Sequence, residues 1–312
     1  MQYRRLGSAG AKVSAIALGG WINFEAKLPE GEAKNIIAKA VENGINFFDL
    51  ADVYGNGKAE QWMGKMLAAY PRHTLVITTK LFWDMSQDVN DRGLSRKHIM
   101  ESIDKSLLRL GTDYVDIYFC HRPDPDTPIL ETARAMTDLI RQGKVLYWGT
   151  SHWSPEQLAE ACDLAERYGL YPPQVEQPQY SMLVREDLEQ RVLPAAQKHG
   201  IGLTVYSPLA MGLLTGKYDD GIPADSRFSK ETWAKERVFN EADVERVRRL
   251  KPIADGLGLT RGQLALAWIL RLPGISSVIT AATKAAQIAE NVGAADSVLG
   301  DDVLAQIEKA LA

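Results

Sequence analysis

Several features are scarce in this 312-residue sequence, and each scarcity excludes a class of protein. Only two cysteines occur, Cys120 and Cys162, which are too few for a disulfide scaffold and wrongly spaced for a zinc knuckle. Basic residues do not exceed acidic ones, 36 against 40, so the chain offers no electrostatic footprint for nucleic acid or anionic lipid. We therefore expect a reduced, cytoplasmic protein.

Long apolar segments are also missing. No uncharged stretch approaches the ~20 residues that span a bilayer, and residues 1–7 lack the apolar core of a signal peptide, so we expect the mature chain to start at Met1. The composition, 46% hydrophobic and 24% charged, is nonetheless that of a chain with a packed core.

Common nucleotide-loop, metal and hydrolase motifs are absent as well. No G-x-G-x-x-G occurs, and residues 212–218 depart from a Walker loop in spacing and in their last residue. The five histidines form neither H-x-H nor H-E-x-x-H, and residues 149–153 do not close a serine-hydrolase elbow with glycine. We therefore predict no metal site and no serine nucleophile.

What the sequence does contain is a repeated alternation of apolar runs and helical patterns. After an opening hairpin at about residues 3–13, eight short apolar runs each end in a polar residue and are each followed by a helix signal, such as the capping box that begins at Ser154. The runs cover 16–18, 45–49, 75–80, 114–121, 145–150, 174–177, 203–206 and 278–280. Eight such α/β units predict a closed (β/α)8 TIM barrel, one domain over residues 1–312; the alternative is a doubly wound sheet.

One connection is longer than the others. The segment between Tyr206 and the last strand holds an extra loop of about 30 residues before helices resume near Asp243. It carries Lys217, Arg227 and Lys230 with several glycines. This composition suits a lid that covers a bound anion; the alternative is a loop that extends into solvent and binds nothing.

In a parallel barrel the polar residues that end the strands converge on one mouth. Taken singly, Asp49 could cap a turn, Lys80 could reach solvent and His121 could be a core histidine. Together with Tyr54, which follows Asp49 by five residues, they form a set suited to proton transfer. We expect the Lys80 ammonium to lower the pKa of Tyr54 and Asp49 to pair with Lys80. We expect His121 to bind a substrate oxygen. Carbonyl reduction suits this set, because hydride reaches carbon while a proton reaches oxygen.

The segments 44–55, 77–80 and 116–121 resemble the signatures of the aldo-keto reductase superfamily, and the likeness extends over nearly the whole chain. Segments 92–99, 122–128, 147–151, 207–210 and 216–219 are similar to its branch of voltage-gated potassium channel β subunits. The resemblance implies a (β/α)8 barrel, a catalytic tetrad of Asp49, Tyr54, Lys80 and His121 with Tyr54 as general acid, and substrate-lining side chains from Trp21, Tyr54, Trp83 and His121.

The same resemblance implies NADPH bound extended across the barrel mouth. Ser151, His152 and Gln177 would hold the carboxamide, Tyr206 would lie against the nicotinamide, the turn from Ser207 with Lys217 and Arg227 would hold the pyrophosphate, and residues 283–291 would surround the adenosine. The implied cofactor-contacting residues are Gly20, Trp21, Asp49, Ser151, His152, Gln177, Tyr206, Ser207, Pro208, Leu209, Ala210, Met211, Lys217, Arg227, Thr283, Gln287, Glu290 and Asn291.

Three positions depart from the family pattern. His121 stands where many channel subunits have asparagine, His152 replaces asparagine or arginine, and Gln287 replaces an arginine of ordinary reductases, with Lys284 nearby.

The first hypothesis for the function is an NADPH-dependent reductase of aldehydes or ketones. The alternative is an NADPH-binding regulatory subunit beside a potassium channel, and the resemblance also suggests a homotetramer.

Overall fold

The computed structural model describes residues 1–21, 24 and 28–312. Its centre is a closed barrel of eight parallel strands in the order β10-β3-β4-β5-β6-β7-β8-β9. The barrel strands are β3 (Ile16–Gly19), β4 (Phe47–Asp49), β5 (Val76–Leu81), β6 (Val115–Cys120), β7 (Val145–Thr150), β8 (Val175–Glu176), β9 (Gly202–Val205) and β10 (Ile275–Thr280). The predicted (β/α)8 TIM barrel is confirmed.

Helices alternate with the strands around the outside of the barrel. The first six are α1 (Glu30–Glu42), α2 (Lys58–Leu67), α3 (Arg96–Leu110), α4 (Ile129–Arg141), α5 (Pro155–Tyr168) and α6 (Leu193–Lys198). The capping box predicted at Ser154 is present: its hydroxyl accepts from the Gln157 backbone, and the Gln157 side chain accepts from the Ser154 backbone. Capping of this kind satisfies backbone groups that a helix end leaves unpaired.

The segment after β9 contains more helix than the sequence indicated. A 3₁₀ segment (Ala210–Thr215), α7 (Arg227–Lys230) and α8 (Thr232–Val238) precede α9 (Glu241–Arg249), so the expectation that helices resume only near Asp243 is wrong. These pieces are too short to show a helical period in sequence. The remaining helices are α10 (Lys251–Gly256), α11 (Arg261–Leu270), α12 (Ala285–Gly293) and α13 (Asp301–Leu311).

The predicted hairpin lies outside the barrel sheet. Strands β1 (Tyr3–Arg5) and β2 (Lys12–Ser14) pair antiparallel, and Leu6, Ala9 and Val13 pack in one cluster with inward-facing strand residues such as Phe47 and Ile279. The hairpin is tied to the amino-terminal end of the barrel, because the Ser8 amide donates to the Gly200 carbonyl at 2.7 Å. It therefore closes the end opposite the mouth.

Strand alternation decides which side chains reach the barrel interior. On β6, Ile117 and Phe119 pack in the inner cluster, whereas Tyr118 and Cys120 belong to the layer between strands and helices. The next residue, His121, therefore faces inward again, toward the mouth at which the strand-end residues were predicted to converge. The same period of two places Asp49 inward after Phe47 on β4.

Close packing of α2 on α3 depends on one glycine. A Cβ at Gly64 would lie 2.3 Å from the Leu110 carbonyl oxygen. We expect Gly64→Ala to lower the free energy of unfolding by about 1–2 kcal/mol, because overpacking outweighs the gain of up to ~1 kcal/mol in helix propensity. Urea unfolding measures the change.

Gly256→Ala is the matched control, since no described atom lies within 4 Å of a Cβ at this position in α10. Its stability should be unchanged or slightly raised. Equal stability changes in the two variants would contradict the close approach of α2 and α3.

Candidate active site

The mouth of the barrel contains a fully buried lysine. The Lys80 ammonium on β5 lies 2.7 Å from Asp49 Oδ2, 2.7 Å from the Leu50 carbonyl oxygen and 3.3 Å from Tyr54 Oη. An ammonium has three N–H donors, so each has an acceptor. The other Asp49 oxygen, Oδ1, accepts from Thr78 Oγ1 at 3.1 Å and from Gln177 Nε2 at 2.9 Å. The pair is buried and fully hydrogen-bonded, as a charged pair in an apolar barrel requires.

Tyr54 is held next to this pair by the turn that follows β4. Its backbone amide donates to the Ala51 carbonyl at 3.2 Å, and its ring lies 5.0 Å from Lys80 Nζ. Burial, followed by the negative charge of Asp49, raises the pKa of Tyr54 well above its usual range. The expectation that its pKa is lowered is therefore wrong, because desolvation outweighs the neighbouring ammonium. The side chain is a phenol at neutral pH.

His121 faces Tyr54 from the end of β6. The two ring centres are 5.8 Å apart, edge to face, and the imidazole is 8% exposed. Burial, followed by the charge of Lys80, lowers the pKa of His121 well below its usual range, so the ring is neutral. Its Nδ1 atom has no hydrogen-bond partner among the described residues. Because Nδ1 is shielded from solvent, Nε2 is the ring nitrogen left to contact a polar ligand group.

Aromatic side chains surround the Tyr54 hydroxyl. The ring of Trp21 lies 6.3 Å from that of Tyr54, and Trp83 lies 6.2 Å from His121, so both predicted tryptophans are at the site. A third, Trp233 of α8, lies 5.5 Å from Trp21 and was not predicted. In the sequence, the one indication of a role for Trp233 was its position in the long connection after β9. The three indole rings give the pocket apolar walls.

The opposite side of the mouth carries a second polar group. Ser151 Oγ donates to the Gln177 carbonyl at 2.7 Å, and His152 Nε2 lies 2.6 Å from Tyr206 Oη. His152 has a positive φ of 59°, and burial lowers its pKa to about 4. Because Gln177 also donates to Asp49, it links this group to the lysine pair.

The chain after β9 makes a tight turn with two cations above it. Ser207, Ala210 and Met211 have positive φ, and a Cβ at Gly212 would lie 2.7 Å from Lys217 Nζ. The same turn includes Pro208 and Leu209, two further residues for which the resemblance implies contact with the cofactor.

The charges of these two cations are only partly offset, since among the described residues the charge of Glu231 acts on Arg227 without forming an ion pair with it. Burial lowers the pKa of both Lys217 and Arg227, and for Lys217 the charge of Arg227 adds to this effect. Within the described ranges neither side chain forms an ion pair. Two partly buried cations that form no ion pair with a described residue favour an anion at this turn.

The other predicted contacts flank these groups. Gly20 packs so tightly that a Cβ would lie 2.5 Å from Leu50 Cδ2. Gln287 Oε1 accepts from the Thr283 and Lys284 amides at 2.7 and 3.2 Å, so it is engaged in capping α12. Asn291 is buried, whereas Glu290 is exposed. Since α12 follows β10, its first turn lies at the mouth.

Glu176 is a further buried group that the sequence did not single out. It is fully buried at the end of β8 and accepts from Thr150 Oγ1 at 2.5 Å. Burial raises its pKa to about 8, although its hydrogen bonds to Thr150 and to the His152 and Trp153 amides oppose this. A protonated carboxyl here supports the turn that carries His152.

This raised pKa predicts a pH-dependent stability. An unfolded glutamate titrates near pH ~4.3, whereas folded Glu176 titrates at about 8, so between these values only the unfolded state loses the proton. Each pH unit then lowers the free energy of unfolding by up to about 1.4 kcal/mol. We expect Glu176→Gln to lose about 1–3 kcal/mol less than the unmodified protein between pH 5 and 8 in urea unfolding. Parallel pH profiles would contradict this assignment.

Comparison with known proteins agrees with this geometry. Residues 15–312 match the family model described as "Aldo/keto reductase family". A protein of Arabidopsis thaliana named "Probable voltage-gated potassium channel subunit beta" is 48% identical over 318 residues, covering 100% of this chain and 97% of that protein. One of the same name from Oryza sativa subsp. japonica is 47% identical over 315 residues, covering 99% and 96%. The chain therefore belongs to the aldo/keto reductase family, an oxidoreductase family that typically uses NAD(P)H.

Proposed function

We propose that this protein is an NADPH-dependent reductase of aldehydes and ketones, with Tyr54 as the general acid. The observation that carries the proposal is the arrangement of Tyr54 Oη, 3.3 Å from the buried Lys80 ammonium and facing a neutral His121. A carbonyl oxygen placed between Tyr54 and His121 would have one proton donor and one polar neighbour.

The hydrogen bonds around Lys80 orient the tyrosine proton. Because Tyr54 Oη accepts from the ammonium, its own O–H is directed elsewhere and is available for donation. The raised pKa keeps that proton in place until an oxygen of developing negative charge approaches. The ammonium then stabilises the phenolate that proton transfer leaves behind.

The described residues fit a dinucleotide. The turn from Ser207 to Met211 with Lys217 and Arg227 would hold the pyrophosphate, Ser151, His152 and Gln177 the carboxamide, and Tyr206 the nicotinamide face. Thr283, Gln287, Glu290 and Asn291 would contact the adenosine, with Lys284 favouring a 2′-phosphate. When bound, NADPH supplies the hydride. The observation that supports the pyrophosphate position is the presence of two partly buried cations that form no ion pair with a described residue.

We further propose that residues 1–312 work as one domain in the cytoplasm. The family match extends over residues 15–312. In the part of the chain that the structure describes, no helix is both long enough and apolar enough to span a bilayer. Both cysteines are free, which fits a reducing compartment.

A regulatory channel subunit is the alternative, favoured by the names of the two plant relatives. In that case the protein would bind NADPH, form a homotetramer and dock on a potassium channel, with slow turnover on every aldehyde. Co-purification with a channel together with such slow turnover would favour the alternative. Rapid aldehyde reduction by the isolated protein would favour the enzyme.

Removing only the Tyr54 hydroxyl tests the general acid. We expect Tyr54→Phe to lower kcat for 4-nitrobenzaldehyde by about 10²–10⁴-fold, because no other hydroxyl replaces the proton donor. Quenching of NADPH fluorescence on binding should be retained. Tyr168→Phe, at an exposed position on α5, is the matched control and should turn over normally. Undiminished turnover by Tyr54→Phe would refute the assignment.

The phosphate cradle is tested by neutralising Lys217. We expect Lys217→Met to raise the Kd for NADPH by about tenfold or more, since one charged contact is commonly worth ~1.5–3 kcal/mol. Fluorescence titration measures the change. Lys198→Met, at the far end of α6, changes the same charge without touching the mouth. An equal Kd in the two variants would place the phosphates elsewhere.

A further inference from the structure

Two arginines lie at the substrate side of the mouth, and the proposed chemistry uses neither. Arg122 directly follows His121, donates to the His121 carbonyl at 2.6 Å, and places its guanidinium carbon 5.5 Å from the centre of the Trp83 ring. Its charge opposes the burial that raises the pKa of Tyr54 and Tyr206. Since Coulomb effects fall with distance, Arg122 lies near both polar groups of the mouth.

The second cation comes from the long connection. Arg237 of α8 is four residues after Trp233, so the two side chains share one face of the helix. Trp233 contacts Trp21, which directs that face toward the pocket. The charge of Arg237 also acts on His152 and Tyr206: after burial and Arg122 it contributes to the lowered pKa of His152, and after Arg122 it opposes the burial that raises the pKa of Tyr206.

No carboxylate in the part of the chain that the structure describes pairs with either of these two cations. Among residues 1–21, 24 and 28–312, neither Arg122 nor Arg237 has an ion-pair partner within 4.0 Å. The carboxyl groups nearby are otherwise engaged or protonated: Asp49 pairs with Lys80 at 2.7 Å, and Asp187 pairs with Arg191 at 3.0 Å. Glu176, on which the charge of Arg122 acts, keeps its proton below its pKa of about 8. The rim above the aromatic walls is therefore positive.

Asp124, close to Arg122 in sequence, is also committed. Its oxygens accept from the Leu94 amide at 2.7 Å and from Thr127 Oγ1 at 2.8 Å. These bonds hold the loop after β6 and leave the Arg122 guanidinium directed to Trp83. A guanidinium fork matches carboxylate and phosphate oxygens in geometry as well as charge.

We propose that the substrate is an aldehyde or ketone that also carries an oxyanion, a carboxylate or a phosphate, bound by Arg122 and Arg237. The carbonyl lies at Tyr54, an apolar segment lies between the indole rings, and the oxyanion meets the positive rim. This inference rests on the proposed reductase function and adds to it the class of substrate.

Matched aldehydes test the substrate class. We expect kcat/KM for 4-carboxybenzaldehyde and for 4-formylphenyl phosphate to exceed that for methyl 4-formylbenzoate by about tenfold or more at low ionic strength, through KM. The preference should shrink as salt is raised, because both arginines are partly exposed and screened. Which of the two anions is preferred separates a carboxylate substrate from a phosphate substrate.

Charge removal then assigns the preference to the two arginines. In Arg122→Gln and Arg237→Gln the ratio of kcat/KM between 4-carboxybenzaldehyde and its ester should fall severalfold, and Arg122→Lys should recover part of it. Arg167→Gln is the control, since it removes the same charge at the exposed carboxyl end of α5, opposite the mouth. This variant should keep the full ratio.

The outcomes separate the inference from the function it rests on. Reduction of the ester as efficiently as of both anions would overturn the substrate class and leave the reductase in place. An equal rise in KM for NADPH and for the anionic aldehyde in the Arg122 and Arg237 variants would assign both cations to the cofactor, which also overturns it. No NADPH oxidation with any of the three aldehydes would overturn the proposed function itself.

Discussion

The buried ammonium of Lys80 is the constraint around which the mouth of the barrel is arranged. A charged lysine without contact to water is tolerated only where all its donors are satisfied and a counter-charge is close. Asp49, the Leu50 carbonyl and Tyr54 meet that requirement at 2.7, 2.7 and 3.3 Å. The Tyr54 hydroxyl is thus one of the three acceptors that the buried ammonium needs. This requirement fixes the position of the hydroxyl in the mouth.

The same pair also connects the two halves of the mouth. Asp49 uses its second oxygen to accept from Gln177, whose carbonyl accepts from Ser151. Gln177 is therefore two hydrogen bonds from the lysine, and Ser151 is three. Through this connection, the residues proposed to orient the carboxamide share one hydrogen-bond network with those proposed to protonate the substrate.

Strand-end residues could be predicted from the sequence because alternation along a parallel strand is a local property. Asp49, Lys80 and His121 each end an apolar run, and the period of two turns them all inward. The sign of the Tyr54 pKa shift could not be predicted, because it depends on how far desolvation exceeds the effect of nearby charges. Trp233 and Arg237 were missed because their relevance arises only when α8 folds across the mouth.

Strain and charge both concentrate on the side of the mouth that the long connection covers. In the part of the chain that the structure describes, five non-glycine residues have positive φ, and four of them are His152, Ser207, Ala210 and Met211. Each such residue costs on the order of 1 kcal/mol or more and persists only where its surroundings hold it.

The chain after this strained turn contributes both cations and an aromatic side chain to the mouth of the barrel. Lys217 and Arg227 lie near the turn, and the ring of Trp233, six residues after Arg227, lies 5.5 Å from that of Trp21 beside Tyr54. An anion that draws the two cations together also fixes the chain that carries Trp233. The proposed phosphate cradle and the outer wall of the proposed substrate pocket therefore belong to one segment, so we expect a displacement of one to move the other.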